Sequence, residues 1–316
     1  MVKRSILAAL VACCLTPAVH AQWGLSGDDA DPRYLAEGGA ATMTQENIPG
    51  IDLIGEYLLW WLKDPKISNP LPGGVSGDNL KYSSPFSGGR LTARFWTDST
   101  TTGSFETSGF IVGPRSTTDI SGNTLATSKS FLWGAEGDFF VNTLTPLDLF
   151  AGFRYLDLTE DLNVTSGTAA AQTFDHFHTR NQYYGGQLGA HAAYFLGGFF
   201  IDGQGQVAFG SNHQTVLVSG TTTTAAGAVT QGGLLATAAN SGVVTNTVFS
   251  IVPEVRCRLG YMFVDGAIIF AGYNFLFMNH VVRPGDQIPA AAGGPVTLKE
   301  STFWAHGITA GIEVRY

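Results

Sequence analysis

Arg90 and Arg94 stand four residues apart in SGGRLTARFW, Arg256 and Arg258 two apart in VPEVRCRLGY, and Glu136 and Asp138 two apart in FLWGAEGDFFVN. In an extended chain even spacings place side chains on one face. Read this way, Glu56, Glu106, Glu136, Asp138, Asp202, Glu254 and Glu313 form one set with Arg90, Arg94, Arg154, Arg256, Arg258 and Arg315. Such a set supports two kinds of chemistry. It can line an ion-selective aqueous pore, or it can form cross-strand ion pairs that fill a closed interior. Strand number separates them, because about 8 strands give a side-chain-filled barrel and open channels belong to about 16–18. The ten strands counted below favour pairing.

Other chemistry has weaker support. His176 and His178 flank Phe177, and a His-x-His step on a strand can hold a metal from one face. Asp175, the nearest carboxylate in sequence, has the opposite parity, so the two read as solvated loop histidines and no metal or cofactor is expected. His191, His213, His280 and His306 are scattered singly and read as lumen or rim residues. The GxSxG elbow, HExxH and phosphate-binding glycine loops are missing from the sequence. Gly203-Gln204-Gly205 lacks a third glycine and reads as strand. The expectation is a protein that is not an enzyme.

The elements that must carry these charges are strands. Ten strand-like segments follow one another at about 51–63, 86–97, 103–113, 131–143, 147–160, 183–196, 199–216, 248–263, 266–282 and 301–316. Gaps after the even-numbered segments are short, as at Gly197-Gly198, and those after the odd-numbered ones are long. Long external loops are expected at about 64–85, 114–130, 161–182, 217–247 and 283–300. Alternating gap lengths put all short turns at one end of an antiparallel sheet, as in outer-membrane barrels with short periplasmic turns. The predicted fold is therefore all-β, an up-and-down transmembrane barrel of ten strands with both termini periplasmic. The faces agree. In IDGQGQVAFG, Asp202, Gln204 and Gln206 oppose Ile201, Val207 and Phe209. In the closing GITAGIEVRY, Ile308, Ala310, Ile312, Val314 and Tyr316 share an apolar face that would meet lipid. Ile54, Leu58, Trp60, Phe110 and Phe270 break the rule by falling on the polar parity, at strand ends or as plugs of a narrow interior.

Composition suits this reading. Only 13% of the 316 residues are charged, against a usual quarter or so, yet mean hydropathy is just +0.12. No apolar run after the N-terminus is long enough for a spanning helix. Lys3 and Arg4, an apolar stretch from Ile6 to Leu15 and Val19-His20-Ala21 read as an export signal over residues 1–21. Residues 22–50 then form an N-terminal periplasmic segment, and 51–316 the barrel. Leu10-Val11-Ala12-Cys13 offers a competing lipoprotein site, with lipidation at Cys13. Cleavage after Ala21 leaves Cys257 as the mature chain's single cysteine, on an apolar strand face. It also removes Lys3 and Arg4 and no acidic residue, taking the net charge from −8 to −10. That balance argues against nucleic acid, and the apolar strand faces point to outer-membrane lipid as the partner. Homo-oligomerisation and small solutes stay open.

Several stretches resemble one family, the putative β-barrel porin-7 family of bacterial outer-membrane proteins: GEYLLWWLKDP (55–65), FSGGRLTARFWTD (86–98), WGAEGDFFVN (133–142), FAGFRYLDLTEDL (150–162), YYGGQLGA (183–190), VPEVRCRLGY (252–261) and GYNFLFMNHVVRPGDQI (272–288), with the closing strand. VVRPGDQI is the most specific of them. The resemblance implies an outer-membrane barrel of even strand number, and implies transport only weakly. The leading expectation is a narrow pore for passive diffusion of small solutes or a structural surface protein. The alternatives are an outer-membrane hydrolase with a loop-borne site and a soluble exported ligand-binding barrel.

Overall fold

The computed structural model describes residues 50–67, 71–96, 103–141, 147–168, 170–264, 266–289, 294 and 298–316. The signal peptide at 1–21, lipidation at Cys13 and, but for Gly50, the periplasmic segment at 22–50 lie outside the described residues, as do the short gaps at 98–102 and 144–146.

Ten long strands close into one antiparallel barrel: β1 (Ile51–Leu62), β2 (Phe86–Trp96), β3 (Gly103–Ser121), β4 (Thr124–Val141), β5 (Leu147–Gly167), β6 (Gln172–Leu196), β7 (Phe199–Thr223), β9 (Gly242–Val264), β10 (Ala267–Val282) and β11 (Glu300–Arg315). An eleventh, β8 (Val229–Gln231), is a short strand added to the end of β7. Each long strand pairs with its neighbours in sequence, β7 pairs with β9, and β11 returns to β1 from Asp52↔Arg315 to Leu62↔Ala305. Closure leaves no edge, which is what a sheet in lipid requires because every backbone N–H and C=O must be satisfied internally.

The period-2 pattern sorts the two faces. Leu53, Tyr57, Leu91, Phe95, Phe105, Phe139, Leu149, Phe153, Leu188, Ile201, Leu259, Ile308 and Ile312 are all exposed on the outside. The opposite parity is turned inward, with its charges buried or largely so. Ten strands of outward apolar side chains with buried charges invert the arrangement of a soluble barrel and give the lipid-facing band of a membrane one. The soluble alternative is thereby set aside. Ile54, Leu58, Trp60, Phe110 and Phe270, the parity exceptions, are all buried inside as plugs.

Two of the expected long loops are not loops. β3 and β4 run on to a two-residue turn at Gly122-Asn123, where Gly122 takes a φ of 56°, the Gly-first geometry that matches strand twist. β5 and β6 likewise extend to Gly167↔Gln172. The expected loops 114–130 and 161–182 are therefore hairpins that prolong the sheet, and much of 217–247 belongs to β7 and β9. Their Ser/Thr-rich sequences carry no apolar outward band, because beyond the bilayer none is needed, while inward residues such as Leu162, Phe177 and Val218 are apolar and buried. β-branched threonines still suit the pleat, and Thr118 meets Thr127 across it at 3.1 Å. The segments after β1 and β10 are loops, each with short 3-10 turns, at Pro72–Gly74, Gly77–Leu80 and Pro284–Asp286.

Candidate functional site: the filled barrel interior

Inward-facing side chains fill the barrel in layers. At the end of the short turns, Arg315 meets Asp52 at 2.6 Å, and the Trp96 indole donates to the same carboxylate at 2.7 Å. Arg94 pairs with Glu106 at 2.6 Å. Arg258 holds Asp202 with its Nε 3.0 Å from each carboxylate oxygen, reaches Glu313 at 3.3 Å and lies 4.8 Å from the Phe270 ring. His191 sits between Asp148 and Asp202. Ile54, Phe200, Ile268 and Phe270 pack beside these pairs.

Above them lies the central charged layer. Arg154 Nη2 is 2.5 Å from both Glu136 Oε2 and Glu254 Oε2. Arg256 donates to Glu136, and its Nε is 2.8 Å from Glu254 Oε1. Arg90 reaches Glu56 and Glu254, each at 3.4 Å. Three guanidinium groups thus face three carboxylates, and the layer is electrically neutral. Gln206 adds a donor to Glu136 at 3.1 Å, and Gln187 donates to Asp138 at 2.6 Å. The Arg90 guanidinium also lies 5.6 Å from the Trp60 ring and 5.4 Å from Phe110, joining this layer to the apolar one above it.

That apolar layer contains Leu58, Trp60, Phe86, Phe110, Tyr183 and Phe303, all buried. Beyond it, the loop after β10 turns into the barrel mouth. Arg283, 1% exposed, donates to Glu160 at 2.6 and 2.8 Å and to the Lys63 and Asp64 carbonyls at 2.9 and 2.7 Å. Tyr82 joins through Ser130, which donates to Glu160. Burial, and next the Glu160 charge, push the Tyr82 phenol up to about 12. A last apolar cluster, with Leu80, Phe177, Val218, Ala236 and Ile288, closes the hairpin end. The 232–240 segment is folded down onto it by Asp175, whose carboxylate accepts from the Leu234, Leu235 and Ala236 N–H groups.

Arg283→Ala should release the loop from the mouth, because its four hydrogen bonds tie strand β5 to two loop carbonyls. Limited proteolysis of the folded protein in micelles should show faster cleavage at Lys66 and Lys299. Unchanged cleavage would mean that apolar packing alone holds the loop.

The structure gathers Glu56, Arg90, Glu136, Arg154, Glu254 and Arg256 into one layer, sets Asp138 at its edge, and places Arg94, Glu106, Asp202, Arg258, Glu313 and Arg315 nearer the turns. Asp52, Glu160, Arg283 and the glutamines complete the network. Parity alone could have found Asp52, which shares the face of Glu56. Glu160 lies within β5 on the inward parity of Arg154, so the same rule reaches it, whereas Arg283 follows the end of β10 in a loop, where no strand pattern marks it. His176 and His178 lie on β6 and not in a loop, on its outer wall, where Asp161 of β5 hydrogen-bonds to both.

A family model described as Putative beta barrel porin-7 matches residues 118–316. No curated protein matches the chain in sequence. Among solved structures, the outer membrane protease OmpT from Escherichia coli is 10% identical over 87% of this chain and 100% of its own, with a TM-score of 0.48. The toluene transporter TbuX of Ralstonia pickettii is 10% identical over 86% and 90%, with a TM-score of 0.34. Ail, the attachment invasion locus protein of Yersinia pestis, is 10% identical over 85% and 99%, with a TM-score of 0.29. At these levels the likeness carries nothing about activity.

Proposed function

Since the chain belongs to the Putative beta barrel porin-7 family of bacterial outer-membrane β-barrels, we propose that it serves as a structural surface protein whose barrel has no standing channel and no catalytic role. The observation that carries this reading is the central layer of three arginines and three glutamates between apolar layers. Arg90, Arg154 and Glu254 are each under 2% exposed at the side chain. Water and ions passing along the axis would have to separate these buried pairs. Purified protein in planar bilayers should give no stable conductance steps. Reproducible unitary steps would overturn the proposal.

A narrow pore is the second reading, and one feature favours it. A cavity of about 30 Å³, room for about two waters, lies among Glu56, Arg90, Arg94, Glu106, Asp202, Arg256 and Arg258. A conducting state would have to extend this space through the aromatic layer, and conductance steps would identify it.

Orientation is part of the same proposal. The hairpins at Gly122 and Gly167, with the loops 64–85 and 283–299, are placed outside, and the turn at Gly197 and both termini in the periplasm. The support is the asymmetry between long and short connections. Protease added to intact cells should cleave within 64–85 or 224–241. Cleavage confined to the short turns near Gly197 and Gly266 would reverse the orientation.

A further inference from the structure

The register of β5 against β6 brings together three potential metal ligands that lie far apart in sequence. Asp161 is paired with His178, and His176 is one outward-facing position further along the same strand. Asp161 Oδ1 is 2.8 Å from His178 Nδ1 and 3.1 Å from His176 Nε2. All three donor atoms lie within 4.8 Å of one another. Ligand atoms around a tetrahedral ion bound at about 2.1 Å are separated by about 3.4 Å. The cluster therefore needs only small side-chain rotations to enclose an ion. The side chains are 24–29% exposed, so solvent can reach the fourth position.

The surroundings fix the rings and leave the carboxylate available. The ring of Phe174 stacks on His176 at 6.3 Å. Arg180, the next outward residue on β6, is held by Asp157 at 2.6 Å and does not compete for Asp161. Lys129 of β4 stands opposite Asp161 in register, and its exposed side chain is free to turn into solvent. The outward residues alongside on β7 are Leu217 and Ser219, which carry no charge.

We propose that Asp161, His176 and His178 form a surface site for a divalent first-row transition ion on the wall of the β5–β6 hairpin, above the apolar band. Two imidazoles with one carboxylate suit Zn²⁺, Cu²⁺ or Ni²⁺, whereas Mg²⁺ and Ca²⁺ prefer all-oxygen sets. Binding replaces the two His–Asp hydrogen bonds with metal bonds, and the proton carried by each coordinating ring nitrogen moves to the other ring nitrogen, or is released to solvent where that one is already protonated. The ion would clamp two strands where the sheet extends past the membrane.

The test uses the full chain without a polyhistidine tag, folded in micelles and stripped with chelator. Zn²⁺ titrated calorimetrically should bind at one site per chain, and Co²⁺ should give visible d–d absorption of a low-coordinate site. His176→Ala, His178→Ala and Asp161→Asn should each weaken Zn²⁺ binding at least tenfold, on the scale of losing a metal-site group. His280→Ala, which removes an exposed histidine paired with Glu300, should leave it unchanged. Heat-modifiable migration verifies folding of each variant, and His178→Gln serves if the alanine variant fails it. No binding by the wild-type protein would overturn the site, as would equal binding by all variants or loss only in His280→Ala.

Discussion

A chain cut before Gly307 is expected to yield no heat-modifiable folded barrel. β11 carries the closure. Its residues from Gly307 onward pair with β1 from Asp52 to Trp60 and with β10 from Ala267 to Asn274. Their loss exposes two edges at once, within the band where Leu53, Tyr57 and Ile269 meet lipid. Each unsatisfied backbone group in hydrocarbon costs several kcal/mol, so the deficit exceeds the about 5–15 kcal/mol that typically holds a domain folded. The truncation also removes Glu313 and Arg315, taking the arginine from Asp52 and one carboxylate from Arg258. Tyr316→Asp is a milder change. The backbone of Tyr316 exchanges two hydrogen bonds with Ile51, at 3.0 and 3.1 Å, and keeps them, while its side chain is 77% exposed. It should reduce the yield of assembled protein without abolishing it. Semi-native electrophoresis of both variants provides the comparison. Normal folded yield from the truncated chain would show that closure is not what this strand supplies.

How far such arguments could be made from sequence depended on whether a feature is periodic. Alternation along IDGQGQVAFG or VPEVRCRLGY places Gln204 and Arg256 inside because lipid tolerates only one kind of face. Ten strands, their order and thirteen of the inward-facing charges follow from that constraint. The hairpin extensions were illegible for the converse reason. Above the membrane neither face of TLATSKS has to be apolar, so a strand there looks like a polar loop. Partner choice was also partly hidden. Arg258 shares a face with Glu254 on its own strand, yet strand tilt and register bring it to Asp202 and Glu313. The same register puts Asp161 beside His178, where parity within β6 offers only the wrong-facing Asp175. Register is set by closure of the whole barrel, and no single segment encodes it.

The central layer predicts a large energetic response to any single charge deletion. Arg154→Ala should lower stability by about 3–5 kcal/mol, the usual result of stranding a buried partner. The reason is specific to its position. Its Nη2 serves both Glu136 and Glu254 at 2.5 Å, and without it two arginines face three carboxylates in a space that the Trp60–Phe110 layer seals from one side. Arg256→Ala should behave alike, because Arg256 bridges the same two glutamates. Lys81→Ala, which breaks an exposed pair with Asp78, should leave stability close to wild type, because solvent screens such a pair. The decisive comparison is the double variant Glu136→Gln with Arg154→Met. It restores neutrality, so its loss should be smaller than the sum of the two single losses, with a coupling on the order of 1–3 kcal/mol. Urea unfolding in micelles measures these variants together with the single variants Glu136→Gln and Arg154→Met that complete the cycle. An outward-facing arginine would respond in the opposite sense, since an arginine at the bilayer midplane costs about 2–4 kcal/mol and its removal stabilises. Raised stability of Arg154→Ala or Arg256→Ala, or strict additivity in the double variant, would remove the ion-pair layer as the element that seals the barrel.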